Sequence, residues 1–200
     1  MPRPQHRLQR ALIDPVGKEP RLSFWKHCRG HCGSQILAGE VRGDHQFYRE
    51  ALARLNQLLA KVWATTAASH ARLVELQIAL QEIEDHLLPH MEEEEEILFP
   101  CLQRLERASR CQEPVPRLYF GSISDAVELM RREHQHLRER LRHMQEVSTE
   151  TINAEAGTIP RELRQALQDF ARGLRAHLAF EERTVFRLAK AEESLIRESG

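Results

Sequence analysis

The sequence predicts an all-α fold, an antiparallel four-helix bundle that follows an irregular N-terminal segment. Leu, Ala, Glu, Gln and Arg, which favour helices, dominate the 200 residues. Alternating runs rich in Val, Ile and Thr, which are typical of strands, are scarce. Along four long segments, apolar residues instead recur every three or four positions, as in helices that bury one face.

The composition argues against several classes of protein. The net charge is −1 and no long basic stripe is present, which disfavours nucleic-acid binding. No apolar run approaches the length of a membrane span, and no apolar segment of a secretory signal follows Met1. Four cysteines do not make a disulfide scaffold, so we expect a cytoplasmic protein with neither nucleic-acid nor membrane partners. The sequence leaves the oligomeric state open.

Two domains are expected, an irregular segment at 1–35 and a helical bundle at 36–195. Prolines and glycines interrupt any periodicity in the first segment. This segment contains a compact group of thiols and imidazoles that could form a second metal site or a redox pair, the alternative being incidental thiols on a flexible chain. The group consists of His27, Cys28, His31 and Cys32.

The first two predicted helices span 35–66 and 68–105, and 107–121 is expected to be a loop. Pro89 removes a backbone donor from the second helix, which predicts a kink beside His90. The inward stripe of the first helix is His45, Tyr48, Leu52, Leu55, Leu59 and Val62. The stripe of the second is Leu73, Leu76, Leu80, Ile83, His86, His90, Glu94, Ile97 and Cys101.

The third predicted helix spans 122–147, with Ser122 or Ser124 as its cap, and a linker follows at 151–157. The fourth begins near Thr158-Ile159-Pro160, which places a proline in the first turn. The inward stripe of the third helix is Val127, Met130, His134, Leu137, Leu141 and Met144. The stripe of the fourth is Leu163, Leu167, Phe170, Leu174, His177, Glu181, Val185 and Leu188.

The two halves of the chain repeat one pattern of ionisable residues. A lone histidine on one helix is followed, 45 or 43 residues later, by a histidine with a glutamate four positions on. An aliphatic residue and a phenylalanine then follow each glutamate at the same distance. In the second half the residue three positions after the histidine is Phe180, so the match selects Glu94 rather than Glu93 as the inward carboxylate. The repeated residues are His45, His90, Glu94 and Phe99, then His134, His177, Glu181 and Phe186.

Six ionisable groups on apolar stripes predict a buried metal. Each unpaired buried charge costs several kcal/mol, which a protein stable by roughly 5–15 kcal/mol does not carry without compensation. Rotating the helices to expose these groups would also expose leucines and phenylalanines. We therefore predict His45, His90, Glu94, His134, His177 and Glu181 as metal ligands.

Four imidazoles and two carboxylates suit iron, manganese or zinc. If both carboxylates bridge two ions, each ion also has two imidazoles and keeps positions for an oxo bridge and a diatomic molecule. This favours two iron ions, bridged by oxo and carboxylate groups, over manganese or zinc. His86 and Tyr48 are candidates for contacts with the ligands rather than with the metal.

These motifs resemble the hemerythrin-like (HHE cation-binding) domain. The residues concerned are Asp44-His45, His90 with Glu94 and Ile97-Leu98-Phe99-Pro100, Glu133-His134, and His177 with Glu181 and Val185-Phe186. Within that group the likeness is to di-iron proteins that repair iron–sulfur clusters and to related nitric-oxide-binding proteins of denitrifiers. The resemblance spans about 36–190 and implies a non-haem di-iron site with four terminal histidines and two bridging glutamates. Repair-type members usually carry an adjacent cysteine pair in an N-terminal domain, where this chain has His27-Cys28 and His31-Cys32.

Two functions with a bound metal remain open, beside a structural or interaction bundle without metal. The first is a di-iron protein that binds or reacts with NO or O2 in nitrosative or oxidative stress, and that supports repair of iron–sulfur proteins. The second is a non-enzymatic sensor or carrier of NO or O2 that signals through the N-terminal Cys/His segment. The sequence does not decide whether the protein is an enzyme.

Overall fold

The computed structural model describes residues 33–65, 70–111, 122–154 and 159–198. Almost every residue in these ranges is helical and none is in a strand, which confirms the all-α bundle. The predicted site at His27, Cys28, His31 and Cys32 lies outside the described residues, as do most of the predicted loop and part of the predicted linker.

The helices form four rods. They are α1 (Gly33–Thr65), α2 (His70–Glu93) continued through a π-helical turn (Glu94–Leu98) into α3 (Phe99–Cys111), α4 (Ile123–Ala154), and α5 (Arg161–Arg183) followed by α6 (Val185–Glu198). Helix α2 packs along α4, α1 along α5, and α3 against α6.

Two helices are longer than the sequence predicted. Helix α3 continues to Cys111 because Leu105 and Ala108 extend its buried stripe. Helix α4 continues to Ala154, and the buried Thr151 hydroxyl donates to the Val147 carbonyl on the same helix at 2.8 Å. This bond satisfies a polar group that the sequence alone assigned to a linker.

The start of α4 is capped as predicted. Ser122 Oγ accepts from the Asp125 backbone N–H at 3.0 Å, and Asp125 Oδ2 accepts from the Ser122 N–H at 3.2 Å. This is the reciprocal arrangement of a capping box. The Glu193 carboxylate on α6 also accepts from the backbone N–H groups of Ile123 and Ser124, both at 3.1 Å. The C-terminal helix thereby supports the beginning of the second helix pair.

The second rod departs from α-helical geometry in a turn that begins four residues after His90. Helix α2 continues through Pro89, and the irregularity lies at Glu94–Leu98, where the Phe99 N–H donates to the Glu94 carbonyl. Such π-helical turns are rare and occur often at functional sites. The fourth rod is interrupted at the corresponding level, at Thr184, whose N–H donates to the Phe180 carbonyl at 2.9 Å.

The buried apolar residues form two clusters. The larger occupies the end of the bundle that includes Leu59, Leu76 and Leu167, and the smaller packs Val41 and Phe99 against residues of α4 and α6. The six predicted metal ligands belong to neither cluster. No helix among the described residues has the length and apolar character needed to cross a membrane.

Candidate metal centre

The structure brings all six predicted ligands together as buried residues. His90, Glu94, His134 and Glu181 each offer a donor atom, and these atoms lie within 4.8 Å of one another. His45, His177 and Glu181 form a second such group, which shares Glu181 with the first. In each group the two histidines come from opposite halves of the chain.

The imidazole Nε2 atoms of the histidines face the two buried carboxylates. Glu181 Oε1 lies 3.1 Å from His177 Nε2 and 3.4 Å from His45 Nε2, and its Oε2 lies 3.3 Å from His134 Nε2. Glu94 Oε2 lies 3.3 Å from His45 Nε2, and its Oε1 lies 3.8 Å from His90 Nε2. Each carboxylate therefore reaches imidazoles of both groups.

The Nε2 atoms of His90 and His134 face each other at 3.0 Å. Two imidazole lone pairs at this separation repel unless a proton or a cation lies between them. A metal ion accepts both lone pairs, and imidazole is its commonest protein ligand.

The Nδ1 atom of each histidine faces an outer carboxylate that the sequence reasoning did not assign. His45 Nδ1 donates to Glu95 at 2.7 Å, His90 Nδ1 to Glu133 at 2.8 Å and His134 Nδ1 to Glu182 at 3.1 Å. His177 Nδ1 lies 3.4 Å from Asp44. A carboxylate at Nδ1 fixes the ring and leaves the Nε2 lone pair for a metal.

A repeated sequence signal marks these outer carboxylates. Asp44 and Glu133 each precede the lone histidine of a helix pair, and Glu95 and Glu182 each follow the inward glutamate. Each outer carboxylate faces a histidine on another rod, so the four contacts connect all four rods. Their side chains are 23–30% exposed and connect the buried imidazoles to solvent.

Two arginines and two phenylalanines support the site in equivalent positions. Arg49 lies 3.1 Å from Glu95 and Arg138 lies 2.8 Å from Glu182, each arginine being four residues after the lone histidine. Phe99 stacks on His45 with ring centroids 6.2 Å apart, and Phe186 stacks on His134 at 5.1 Å. The histidines are thus held by both charge and packing.

Burial and neighbouring charges shift the pKa values of the buried histidines and glutamates. Burial lowers the pKa of His45, but a hydrogen bond to Glu181 and the nearby Glu94 carboxylate raise it to about 9. Burial also lowers the pKa of His177. The carboxylates of Glu181 and Asp44 outweigh this effect and raise the pKa to about 10. Burial and the Glu181 charge raise the pKa of Glu94. Burial alone would raise the pKa of Glu181, but the charge of His177 and the nearby imidazoles of His134 and His45 hold it well below its usual range.

Buried polar atoms without a hydrogen bond indicate what this site can hold. Among the described residues they are both carboxylate oxygens of Glu94, Glu181 Oε2, both ring nitrogens of His177 and the Tyr48 hydroxyl. Unsatisfied buried acceptors are costly, and a cation satisfies the carboxylate oxygens and His177 Nε2 together. The donor set of four imidazoles and two carboxylates therefore fits a metal ion.

The two candidate contact residues differ in their placement. Tyr48 is buried with its ring centroid 5.0 Å from that of His177. Burial, with the charges of Asp44 and Glu181, raises the pKa of its phenol. His86 is exposed, and its Nδ1 donates to the Glu82 carbonyl on its own helix at 2.7 Å. Its assignment to the site is corrected, because Leu87 takes the inward position.

The stripe of the second predicted helix requires one more correction. Ile97 is exposed, whereas Leu98 and Phe99 are buried. The π-helical turn places an additional residue in one turn, which rotates Ile97 outwards and the next two residues inwards. Glu94 is buried and Glu93 is only partly so, in agreement with the register that the repeat predicted.

Comparison with known proteins identifies the family. The profile of the hemerythrin HHE cation binding domain matches residues 37–119 and 125–198, which together make up more than half of the chain. Each matched range contains one helix pair of the bundle. Comparisons with curated proteins and with solved structures returned no significant match. The chain belongs to the hemerythrin HHE cation-binding family.

Proposed function

We propose that this protein holds two iron ions and binds or reacts with NO or O2 in the cytoplasm during nitrosative or oxidative stress. One ion would be held by His45, His177 and Glu181. The other would be held by His90, Glu94, His134 and Glu181. When bound, such a pair of ions supplies reversible electron transfer and open positions for a small ligand.

The observation that carries this proposal is the division of the buried donors into two groups that share a carboxylate. A single cation would leave one pair of imidazoles uncompensated, since the pairs belong to separate groups. Glu181 belongs to both groups, as a carboxylate that bridges two ions must, and Glu94 also lies 3.3 Å from His45 of the other group.

The residues of the chain contribute three effects. The outer carboxylates hold the histidine rings with Nε2 directed inwards. The two apolar clusters limit the access of bulk water, which strengthens every electrostatic interaction at the site. The partly exposed outer carboxylates offer a route by which protons can pass between the imidazoles and solvent.

The proposed role in stress, including support of iron–sulfur cluster repair, rests on the motifs. The order and spacing of His45, His90 with Glu94, His134 and His177 with Glu181 are similar to those of di-iron repair proteins and nitric-oxide-binding proteins. NO and O2 are the ligands that an open pair of iron ions would take in such a role.

Metal content and ligand binding test the proposal together. The full-length chain is loaded anaerobically with ferrous iron, desalted and assayed, and we expect about two ions per chain. The reduced protein is then exposed to NO and to O2 in turn while Mössbauer and optical spectra are recorded. Fewer than about one iron per chain, or spectra that neither gas changes, would contradict the proposal.

A matched pair of double variants controls for unfolding. His90→Ala with Glu94→Ala removes two proposed ligands and should abolish most iron uptake. His86→Ala with Glu96→Ala changes the same residue types at exposed positions of the same rod and should leave uptake unaltered. Equal iron content in the two double variants would contradict the assignment of the site.

A further inference from the structure

The Tyr48 hydroxyl has a position that the metal ligands alone do not explain. Tyr48 is fully buried, and its hydroxyl has no hydrogen-bond partner among the described residues. Every other buried side-chain nitrogen or oxygen in those ranges that lacks a partner belongs to Glu94, His177 or Glu181. The unsatisfied polar atoms of the described core therefore belong to proposed ligands or to this one phenol.

The phenol stands beside one of the two donor groups. Tyr48 is three residues after His45 on α1, and its ring is tilted by 47° against the His177 ring at a centroid distance of 5.0 Å. Its other ring contacts are with Phe170 at 6.1 Å and Phe47 at 5.3 Å. The ring is packed on several sides, so the hydroxyl is held in place.

A glycine makes room for the hydroxyl. A Cβ atom added to Gly173 would lie 3.3 Å from the Tyr48 hydroxyl oxygen. Gly173 is four residues before His177, and residues at this spacing share a helix face. The hydroxyl thus occupies the space that a side chain one turn from His177 would fill.

The other half of the repeat lacks both features. The position equivalent to Tyr48, three residues after His134, is Leu137, which is buried and has no polar group. The position equivalent to Gly173, four residues before His90, is the exposed His86. The ligands follow the repeat, whereas a buried hydrogen-bond donor is present on one side only.

We propose that the Tyr48 hydroxyl donates a hydrogen bond to the small ligand that the metal centre takes from solution, on the side of His45 and His177. This inference rests on the proposed function. A phenol in this place favours ligands that carry an acceptor atom and directs them to one side of the centre. The proton stays on the phenol, and no covalent bond forms or breaks.

Azide, a small anion with acceptor atoms at both ends, serves as the probe. The oxidised, iron-loaded full-length chain and its Tyr48→Phe variant are titrated with azide and followed by optical absorption. We expect equal iron content and about tenfold weaker azide binding by the variant, because one hydrogen bond to a charged acceptor is lost. Gly173→Ala should also weaken azide binding, since its Cβ displaces the hydroxyl.

Tyr119→Phe is the matched control, because it makes the same chemical change at the only other tyrosine of the chain. Its azide affinity should equal that of the wild type. A loss as large as that of Tyr48→Phe would overturn the proposal.

The metal-free protein gives a second, independent test. A hydroxyl without a partner costs free energy in the folded state, so Tyr48→Phe should leave the thermal unfolding temperature unchanged or raise it. A lower temperature would mean that the hydroxyl has a structural partner, and would overturn the proposal.

The two proposals fail differently. If iron-loaded wild type and Tyr48→Phe bind azide equally, only the role of Tyr48 is overturned. If the wild type takes up no iron, both proposals are overturned.

Discussion

In the first helix pair the backbone widens into a π-helical turn at Glu94–Leu98, whereas in the second α5 ends at Thr184 (φ −116°, ψ −62°), three residues after Glu181. Both irregularities lead to the same result. The residues four and five positions after each glutamate are buried, as Leu98 with Phe99 and as Val185 with Phe186. In an uninterrupted α-helix the fifth residue would point about 140° away from the glutamate.

The comparison shows what the site requires of its backbone. Each half must direct a carboxylate inwards and then bring a phenylalanine beside a histidine, and the α-helical period does not permit both. The two halves solve this differently, so the requirement is the placement of these side chains rather than one type of turn. Substitutions at equivalent positions of the two halves test this requirement.

Glu181 and Glu94 are equivalent in sequence but not in their surroundings. Glu181 belongs to both donor groups and lies within 3.4 Å of three imidazoles, whereas Glu94 belongs to one group. We expect Glu181→Gln to lose both ions and Glu94→Gln to keep part of the metal, measured as iron per chain after desalting. Glu96→Gln changes an exposed position and should bind as much iron per chain as the wild type. Equal losses of iron in the two variants would show that the two carboxylates contribute equally to metal binding.

Glu95 and Glu182 should be equivalent. Each accepts from a histidine Nδ1 and from an arginine, so Glu95→Gln and Glu182→Gln should each weaken metal binding by about 10- to 100-fold. Competition with a chelator measures this loss. Arg49→Ala and Arg138→Ala should have smaller effects, because these arginines act through the carboxylates. If one of these two substitutions left metal affinity unchanged, the two glutamates would not be equivalent.

Metal binding should release protons from the group of His45 and His177. In the metal-free protein the pKa values of His45 and His177 are about 9 and 10, so both are protonated at neutral pH and must lose protons before they can bind metal. Metal affinity should therefore rise with pH up to about these values. Calorimetry in buffers of different ionisation enthalpy should detect roughly two protons released per chain at pH 7. Affinity that is independent of pH would contradict this assignment.

The same two histidines should make the stability of the metal-free protein depend on pH. Because folding raises their pKa values above about 6.5, their contribution to the free energy of unfolding is present below that pH. It should be lost as the pH rises through about 9 to 10. Urea denaturation at several pH values measures the loss. A free energy of unfolding that stays constant or increases over this range would show that folding does not raise these two pKa values.

Pro89 has Ala176 as its equivalent in the second half, and both positions are exposed. Pro89→Ala should raise the free energy of unfolding by about 1 kcal/mol, because a proline within a helix lacks one backbone hydrogen bond. Urea denaturation of the metal-free protein measures the change, and iron content should be unaffected. A variant that loses iron would show that the proline is needed for the position of His90.

Helical periodicity was sufficient to predict the rods. The stripes of α1 and α4 are buried residue by residue, because neither helix departs from α-helical geometry. The stripe of the second rod was wrong at His86 and Ile97. Two causes operate there, since Leu87 competes for the inward position and the π-helical turn changes the period after Glu94. The phenylalanine five positions after each glutamate was the only sign of this turn.

The six residues that the structure brings together could be predicted from the sequence because they are repeated, and a chance pattern in one half is not expected to recur in the other. The outer carboxylates were missed for a different reason. The histidines that Asp44, Glu95, Glu133 and Glu182 contact lie on other helices, so these pairs depend on the packing of the rods. No spacing along one helix reports such a contact.

The pairing of histidines across the halves has a further consequence. His45 joins His177, and His90 joins His134, so neither helix pair alone contains a complete donor group. Two copies of one helix pair, related by a two-fold axis, would form both groups. The contact between the two helix pairs thus resembles the interface of a symmetric dimer in which each helix pair is one subunit. An isolated half would be expected to bind metal only after associating with a second copy.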